Sequence, residues 1–119
     1  MANHNEEAEQ IPYNTISADE AQKMIASGAH IIDVRRPEEW ERGHIAEATL
    51  MPVEAGIYLF GNALQTLNLP QEEPVIFTCA SGHRSSLACE IALLTGLHNI
   101  YNMQNGMNGW QSRGLPIER

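Results

Sequence analysis

Three short apolar runs, at 30–34 (His-Ile-Ile-Asp-Val), 74–78 (Pro-Val-Ile-Phe-Thr) and 99–103 (Asn-Ile-Tyr-Asn-Met), set the pattern of this sequence. Each is about five residues long and bounded by turn residues, which fits a strand buried on both faces better than a helix. Helical stretches separate them. Ser17-Ala18-Asp19-Glu20 has the spacing of a capping box, and Ala21, Met24 and Ile25 then supply an apolar face, so a helix is predicted over 18–27, stopped by Gly28. Pro37 opens a short helix over 37–42, closed by Gly43. Ile57, Phe60, Leu64 and Leu67 give helical spacing over 57–67, weakened by Gly61. Leu87, Ala88, Ile91, Ala92 and Leu94 form a broad stripe over 85–95, ending at Gly96. Met107 and Trp110 mark one or two helical turns over 106–113, ending at Gly114, and 49–51 adds a further short strand. Strands alternating with helices imply the α/β class: an open parallel sheet of about four to five short strands with helices on both faces.

At 119 residues the chain suits one domain. Residues 1–10 are polar and acidic, without aromatic or β-branched side chains, and read as a disordered leader ahead of a single folded domain over 11–119. They have neither the basic start nor the apolar core of a signal peptide, and no apolar run approaches the roughly 20 residues of a membrane helix. A cytoplasmic protein is expected, with no membrane partner. Fifteen acidic residues against seven basic ones give a formal charge of -8, which repels a phosphate backbone and disfavours nucleic acid. Cys79 and Cys89 are then expected to be reduced thiols.

Ligands of an open parallel sheet bind beyond the carboxyl ends of its strands. The run at 30–34 delivers Asp33 with Arg35 just beyond it, 74–78 delivers Cys79, and 99–103 leads to Gln104-Asn105-Gly106. Cys79, Ala80, Ser81, Gly82, His83 and Arg84 lie between a strand end and a helix start, in residues small enough for backbone amides to turn inward as an anion cradle. The helix terminus and the Arg84 charge both favour a thiolate, making Cys79 the candidate nucleophile. Cys89, within the apolar stripe, reads as packing. Asp33 and Arg35 read first as a loop-fixing pair and second as accessory groups at the same rim. His44 reads as a structural hydrogen-bonding residue, and His83 as either an added positive charge near an anion or a solvent-facing side chain. Cys79, His83, His44 and Cys89 lack metal-ligand spacing, so no metal is expected. No P-loop, dinucleotide or nucleophile-elbow motif occurs.

Two further segments carry a resemblance. Ile32-Asp33-Val34-Arg35, Pro37-Glu38-Glu39-Trp40 and Gly43-His44-Ile45 look like the first signature of the rhodanese family, and Gly106-Met107-Asn108-Gly109-Trp110 through Gly114-Leu115-Pro116-Ile117 look like its C-terminal signature. Glu47 and Asn105 stand where the family often has glycine. The resemblance spans essentially the whole folded length and implies a rhodanese-like fold. It also implies a thiosulfate sulfurtransferase that needs no cofactor, in which Cys79 carries sulfur as a persulfide from thiosulfate to cyanide or a thiol, including a thiol on a partner protein. Residues Ala80 to Arg84 would bind the substrate. In the family, six-residue loops accompany sulfur transfer and seven-residue loops accompany phosphatases and arsenate reductases; Cys79 through Arg84 is six. A persulfide relay, a phosphatase or arsenate reductase, and a non-catalytic interaction module are the alternative readings.

Overall fold

The computed structural model describes residues 12–119. The proposed leader therefore lies outside the described residues. Five strands, β1 (Asn14–Ile16), β2 (His30–Asp33), β3 (Thr49–Leu50), β4 (Val75–Thr78) and β5 (Ile100–Met103), form one sheet in the order β1-β5-β4-β2-β3. All neighbours are parallel, with Ile32 opposite Phe77 and Phe77 opposite Asn102 at the centre. The helices are α1 (Ala18–Ala26), α2 (Pro37–Glu41), α3 (Ile57–Thr66), α4 (His83–Leu94) and α5 (Gly106–Ser112), with a 3-10 turn at Val53–Ala55. No described helix is long and apolar enough to cross a membrane.

Strand alternation divides the core. Ile32, Val75, Phe77 and Ile100 point to a layer with Phe60 and Leu64 of α3 and Ala88, Ile91 and Ala92 of α4. Ile31, Ile76 and Met103 point to the other face, against Ala21 of α1 and Met107 and Trp110 of α5. Both faces are therefore covered, which is why the central strands read as unbroken apolar runs. The capping box at Ser17 forms as its spacing predicts: the hydroxyl accepts from the Glu20 amide at 3.1 Å and the Glu20 carboxylate accepts from the Ser17 amide at 2.9 Å.

Two expected stripes differ from the packing. In α3, Phe60 and Leu64 are buried, whereas Ile57 is 54% and Leu67 37% exposed. Gly61 lies on the buried face with Phe60 and Leu64, where a Cβ would meet Ile91 of α4 and Thr95 at its C-cap at 3.7 Å, an ordinary contact distance. In α4 the buried face is Ser85, Ala88, Cys89, Ile91 and Ala92, while Leu87 and Leu94 face solvent. β1 and the 3-10 turn are too short for a periodic signal, and β1 follows the long-range register with β5.

Candidate active site

Cys79 leaves the end of β4 and is 1% exposed, with its side chain on the α4 side of the sheet. The following loop is pinned from below by α5. The Met107 amide donates to the Cys79 carbonyl at 2.7 Å, and the Asn108 amide to the Ala80 carbonyl at 3.0 Å. In a trans peptide the carbonyl and the next N–H point oppositely. Drawing those carbonyls toward α5 therefore turns the next amides toward the sulfur. This approach requires glycine at 106: a Cβ there would lie 2.3 Å from the Cys79 carbonyl oxygen, and φ is +50°. The preceding Asn105 sits at φ 62°, the left-handed conformation asparagine tolerates in place of glycine. Glu47 lies in an exposed turn without positive φ, so nothing at that position demands glycine.

Gly82, left-handed at φ 106°, is the N-cap of α4 and donates its amide to Cys79 Sγ at 3.0 Å. Ser85 Oγ lies 3.4 Å from the sulfur and donates to Asn102 Oδ1 at 2.6 Å, while Asn102 Nδ2 donates to the Gly82 carbonyl at 3.3 Å. Burial pushes the Cys79 thiol up, but the Ser85 hydroxyl and the amides of Ser85, Gly82 and Ser81 outweigh it and hold the thiol below its ordinary value. Cys89 lacks such donors; burial first, then the charges of Glu90 and Cys79, push it far up. One thiol is poised to ionise and the other is packed.

The Arg84 charge, expected from the sequence to favour a thiolate, acts on Cys79 through space, each group favouring the other's charged form. The guanidinium makes a forked pair with Glu39 at 2.7 and 2.9 Å and approaches Glu54 at 4.0 Å, so its charge reaches the sulfur only through space. Arg84 in turn holds the Glu39 carboxyl down to about 2, with the Arg36 amide and charge assisting against burial. Asp33 and Arg35 form a buried forked ion pair at 2.7 to 3.1 Å. Arg35 also donates to the carbonyls of Glu39 and Gly43, so this pair ties the end of β2 to α2. His44 stacks on Trp40 at 3.7 Å and its Nδ1 bonds the Trp40 carbonyl at 2.9 Å, a structural role. Ser81 and His83 form the exposed rim of the loop, with Ala80, Gly82 and Arg84 half-buried beside them.

Ser85 and Asn102 were not singled out from the sequence. Their side chains meet only because β5 lies beside β4 with Asn102 opposite Phe77, a juxtaposition no local pattern encodes. A surface depression of about 440 Å³ is lined by Gln22, Ile25, Trp110 and Pro116 and by none of residues 79–84. The smaller ones beside the loop, about 280 and 210 Å³, border Ser81 with Asn108 and Ala80 with Arg35.

Comparison with known proteins agrees with this geometry. The family model for the rhodanese-like domain matches residues 17–113. The thiosulfate sulfurtransferase GlpE of Actinobacillus pleuropneumoniae is 29% identical over 107 residues, covering 89% of this chain and 94% of that protein. The crystal structure of a rhodanese-related protein from Thermoplasma volcanium superposes with a TM-score of 0.73 at 26% identity, covering 89% of this chain and 98% of the other. A Rhodopseudomonas palustris protein of unknown function, described as a possible tyrosine phosphatase, superposes with a TM-score of 0.70 at 28% identity, covering 89% of this chain and 85% of the other. With a family model matched from the α1 cap to Arg113 at the end of α5, this chain belongs to the rhodanese-like domain family.

Proposed function

We propose that the domain is a thiosulfate sulfurtransferase that works by double displacement through Cys79. The observation that carries this reading is the Cys79 sulfur itself, an acidified thiol facing the amides of Ser81, Gly82 and Ser85 at the end of β4. The thiolate attacks the outer sulfur of thiosulfate. A bond forms from Sγ to that sulfur, the donor's S–S bond breaks, and sulfite leaves with the electron pair. Cyanide or a thiol then attacks the terminal sulfur and carries it away, returning the electron pair to Sγ. The amides of residues 80 to 84 act as an oxyanion-type cradle, first for the donor and then for the persulfide's terminal charge. No cofactor takes part in either step. A thiol-bearing protein can replace the small acceptor, which makes a relay role an extension of the same chemistry.

Phosphate-ester hydrolysis is the competing chemistry on this fold, and the six-residue loop disfavours it. The test is thiocyanate formation from thiosulfate and cyanide beside aryl phosphate hydrolysis, in the parent and in Cys79→Ala. Sulfur transfer in the parent that is abolished in Cys79→Ala, with negligible phosphatase activity, is expected. Aryl phosphate turnover through Cys79 without thiocyanate formation would overturn the assignment.

A further inference from the structure

Ser85 is fully buried on the first turn of α4 and Asn102 is 8% exposed on β5, both on the Cys79 side of the sheet. Asn102 is fixed in orientation. Its Nδ2 donates to the Gly82 carbonyl at 3.3 Å, and turning the amide over would set Oδ1 against that carbonyl, acceptor against acceptor. Oδ1 therefore faces Ser85, and the 2.6 Å bond takes the single hydroxyl hydrogen that Ser85 owns. Yet Ser85 Oγ also lies 3.4 Å from Cys79 Sγ. Two acceptors compete for one hydrogen whenever the sulfur is an anion.

We propose that Ser85 and Asn102 are positioning residues that form a two-position hydrogen donor for Cys79. The hydroxyl hydrogen rests on Asn102 Oδ1 while the sulfur is a thiol, and turns to Sγ when it is a thiolate. In the thiol state the S–H donates to Ser85 Oγ, completing a chain that runs from Cys79 to Ser85 to Asn102. On ionisation the thiol proton leaves to water and its electron pair stays on Sγ. Lone pairs of Ser85 would then face an anion, so the hydroxyl rotates and Asn102 Oδ1 gives up its donor. When a sulfur is added, the negative charge moves one atom outward to the terminal sulfur and the hydroxyl returns to Asn102. The pair thus supports charge on Sγ at the moment of attack and withdraws support once the persulfide has formed. This inference rests on Cys79 being the sulfur-carrying nucleophile.

The surrounding charges leave the hydroxyl as the group that changes. Arg84 is paired with Glu39 and lies near Glu54, Asp33 and Arg35 are bonded to each other at the end of β2, and Cys89 further along α4 is buried. The Gly82 amide donates to the sulfur in either state.

The experiment follows the rate of iodoacetamide alkylation at Cys79 against pH, read by peptide mass, in the full chain. Parent, Ser85→Ala, Asn102→Leu and the double variant are compared. Ser85→Ala should raise the inflection by about one pH unit, the scale of a lost hydrogen bond to a charged group. Asn102→Leu should lower it, because the hydroxyl hydrogen is then free for Sγ. In the double variant that lowering should vanish. An unmoved inflection in Ser85→Ala, or equal lowering by Asn102→Leu with and without Ser85, overturns the proposal; a purely structural pair would change melting temperature and leave the inflection in place. A measurement on the parent alone covers variants that do not fold: the Asn102 side-chain carbonyl carbon resonance should titrate with the alkylation inflection, and a pH-independent resonance overturns the proposal. Sulfur uptake from thiosulfate is scored separately on the parent. Uptake with an unmoved inflection removes the donor switch alone, and a moved inflection without uptake removes the sulfur-transfer reading alone.

Discussion

Gly106 shows how one residue far along the chain fixes the nucleophile. A methyl group there would press on the Cys79 and Ala80 backbone, and the left-handed φ disfavours any side chain. Gly106→Ala should cost at least about 2 kcal/mol and release the loop amides, so both thermal stability and alkylation of Cys79 should change. An alanine variant with parental melting and parental thiol reactivity would contradict the pinning described above. Glu39 gives a second test, with a definite sign. Its carboxyl is held down to about 2 from an ordinary 4.5, so its pairing with Arg84 stabilises the fold fully above 4.5 and loses that contribution as pH falls toward 2. Glu39→Gln should lower the melting temperature near neutral pH by an amount corresponding to about 1 kcal/mol for this partly exposed pair, and the gap to the parent should narrow below pH about 4.5. A gap that stays constant down to pH about 3 would show that the pairing has no part in it. The residues legible from sequence were those whose neighbours in the chain announce them: Cys79 before a run of small residues and a helix, and Asp33 with Arg35 two positions on. Ser85 and Asn102 were silent because hydroxyl and amide side chains carry no signal until the fold, across 17 positions, brings them to 2.6 Å.

At the scale of elements, the end of β2 and the short helix α2 are held as a unit. Arg35 joins the buried Asp33 of β2 to the carbonyls of Glu39 and Gly43. Arg35→Met removes one partner of a buried ion pair and should destabilise the domain by about 3–5 kcal/mol, measured by urea denaturation. A loss below about 1 kcal/mol would show that Asp33 finds another partner or water. The loop from β4 to α4 makes a different prediction, because its length sets where the Ser85 amide and hydroxyl meet Sγ. Inserting one glycine between Gly82 and His83 should reduce thiosulfate turnover and permit measurable aryl phosphate hydrolysis or tighter phosphate binding, with melting confirming the fold. Full sulfur transfer in the folded insertion variant would refute the geometric account of loop length. Elements with strong local signals, such as the capped α1 and the apolar β2 and β4, were predictable to within a residue or two. The solvent-facing sides of α3 and α4 were not, since Ile57, Leu87 and Leu94 satisfy helical spacing while the sheet they would need lies on the other side.

Over the whole molecule, the strand order β1-β5-β4-β2-β3 places β4 at the centre, with β2 and β5 on either side. Class and parallel sheet follow from alternating strands and helices, whereas strand order is a long-range outcome that the alternation leaves open. That order brings Glu39 of α2 and the arginines flanking that helix to one side of the loop and Asn102 to the other, and it puts α5 beneath. In a chain of net charge -8, Arg35, Arg36, Arg42 and Arg84 cluster in these segments, mostly offset by neighbouring acids. Charge alone therefore does not mark the site; the aligned amides and the acidified sulfur do. The most direct measurement is peptide mapping by mass spectrometry after incubating the reduced chain with thiosulfate and removing excess donor. The account predicts one added sulfur atom on the peptide containing Cys79, none on the peptide containing Cys89 alone, and loss of the added sulfur when cyanide is supplied. Sulfur found only on Cys89, or a chain that takes up none while remaining folded, would contradict it.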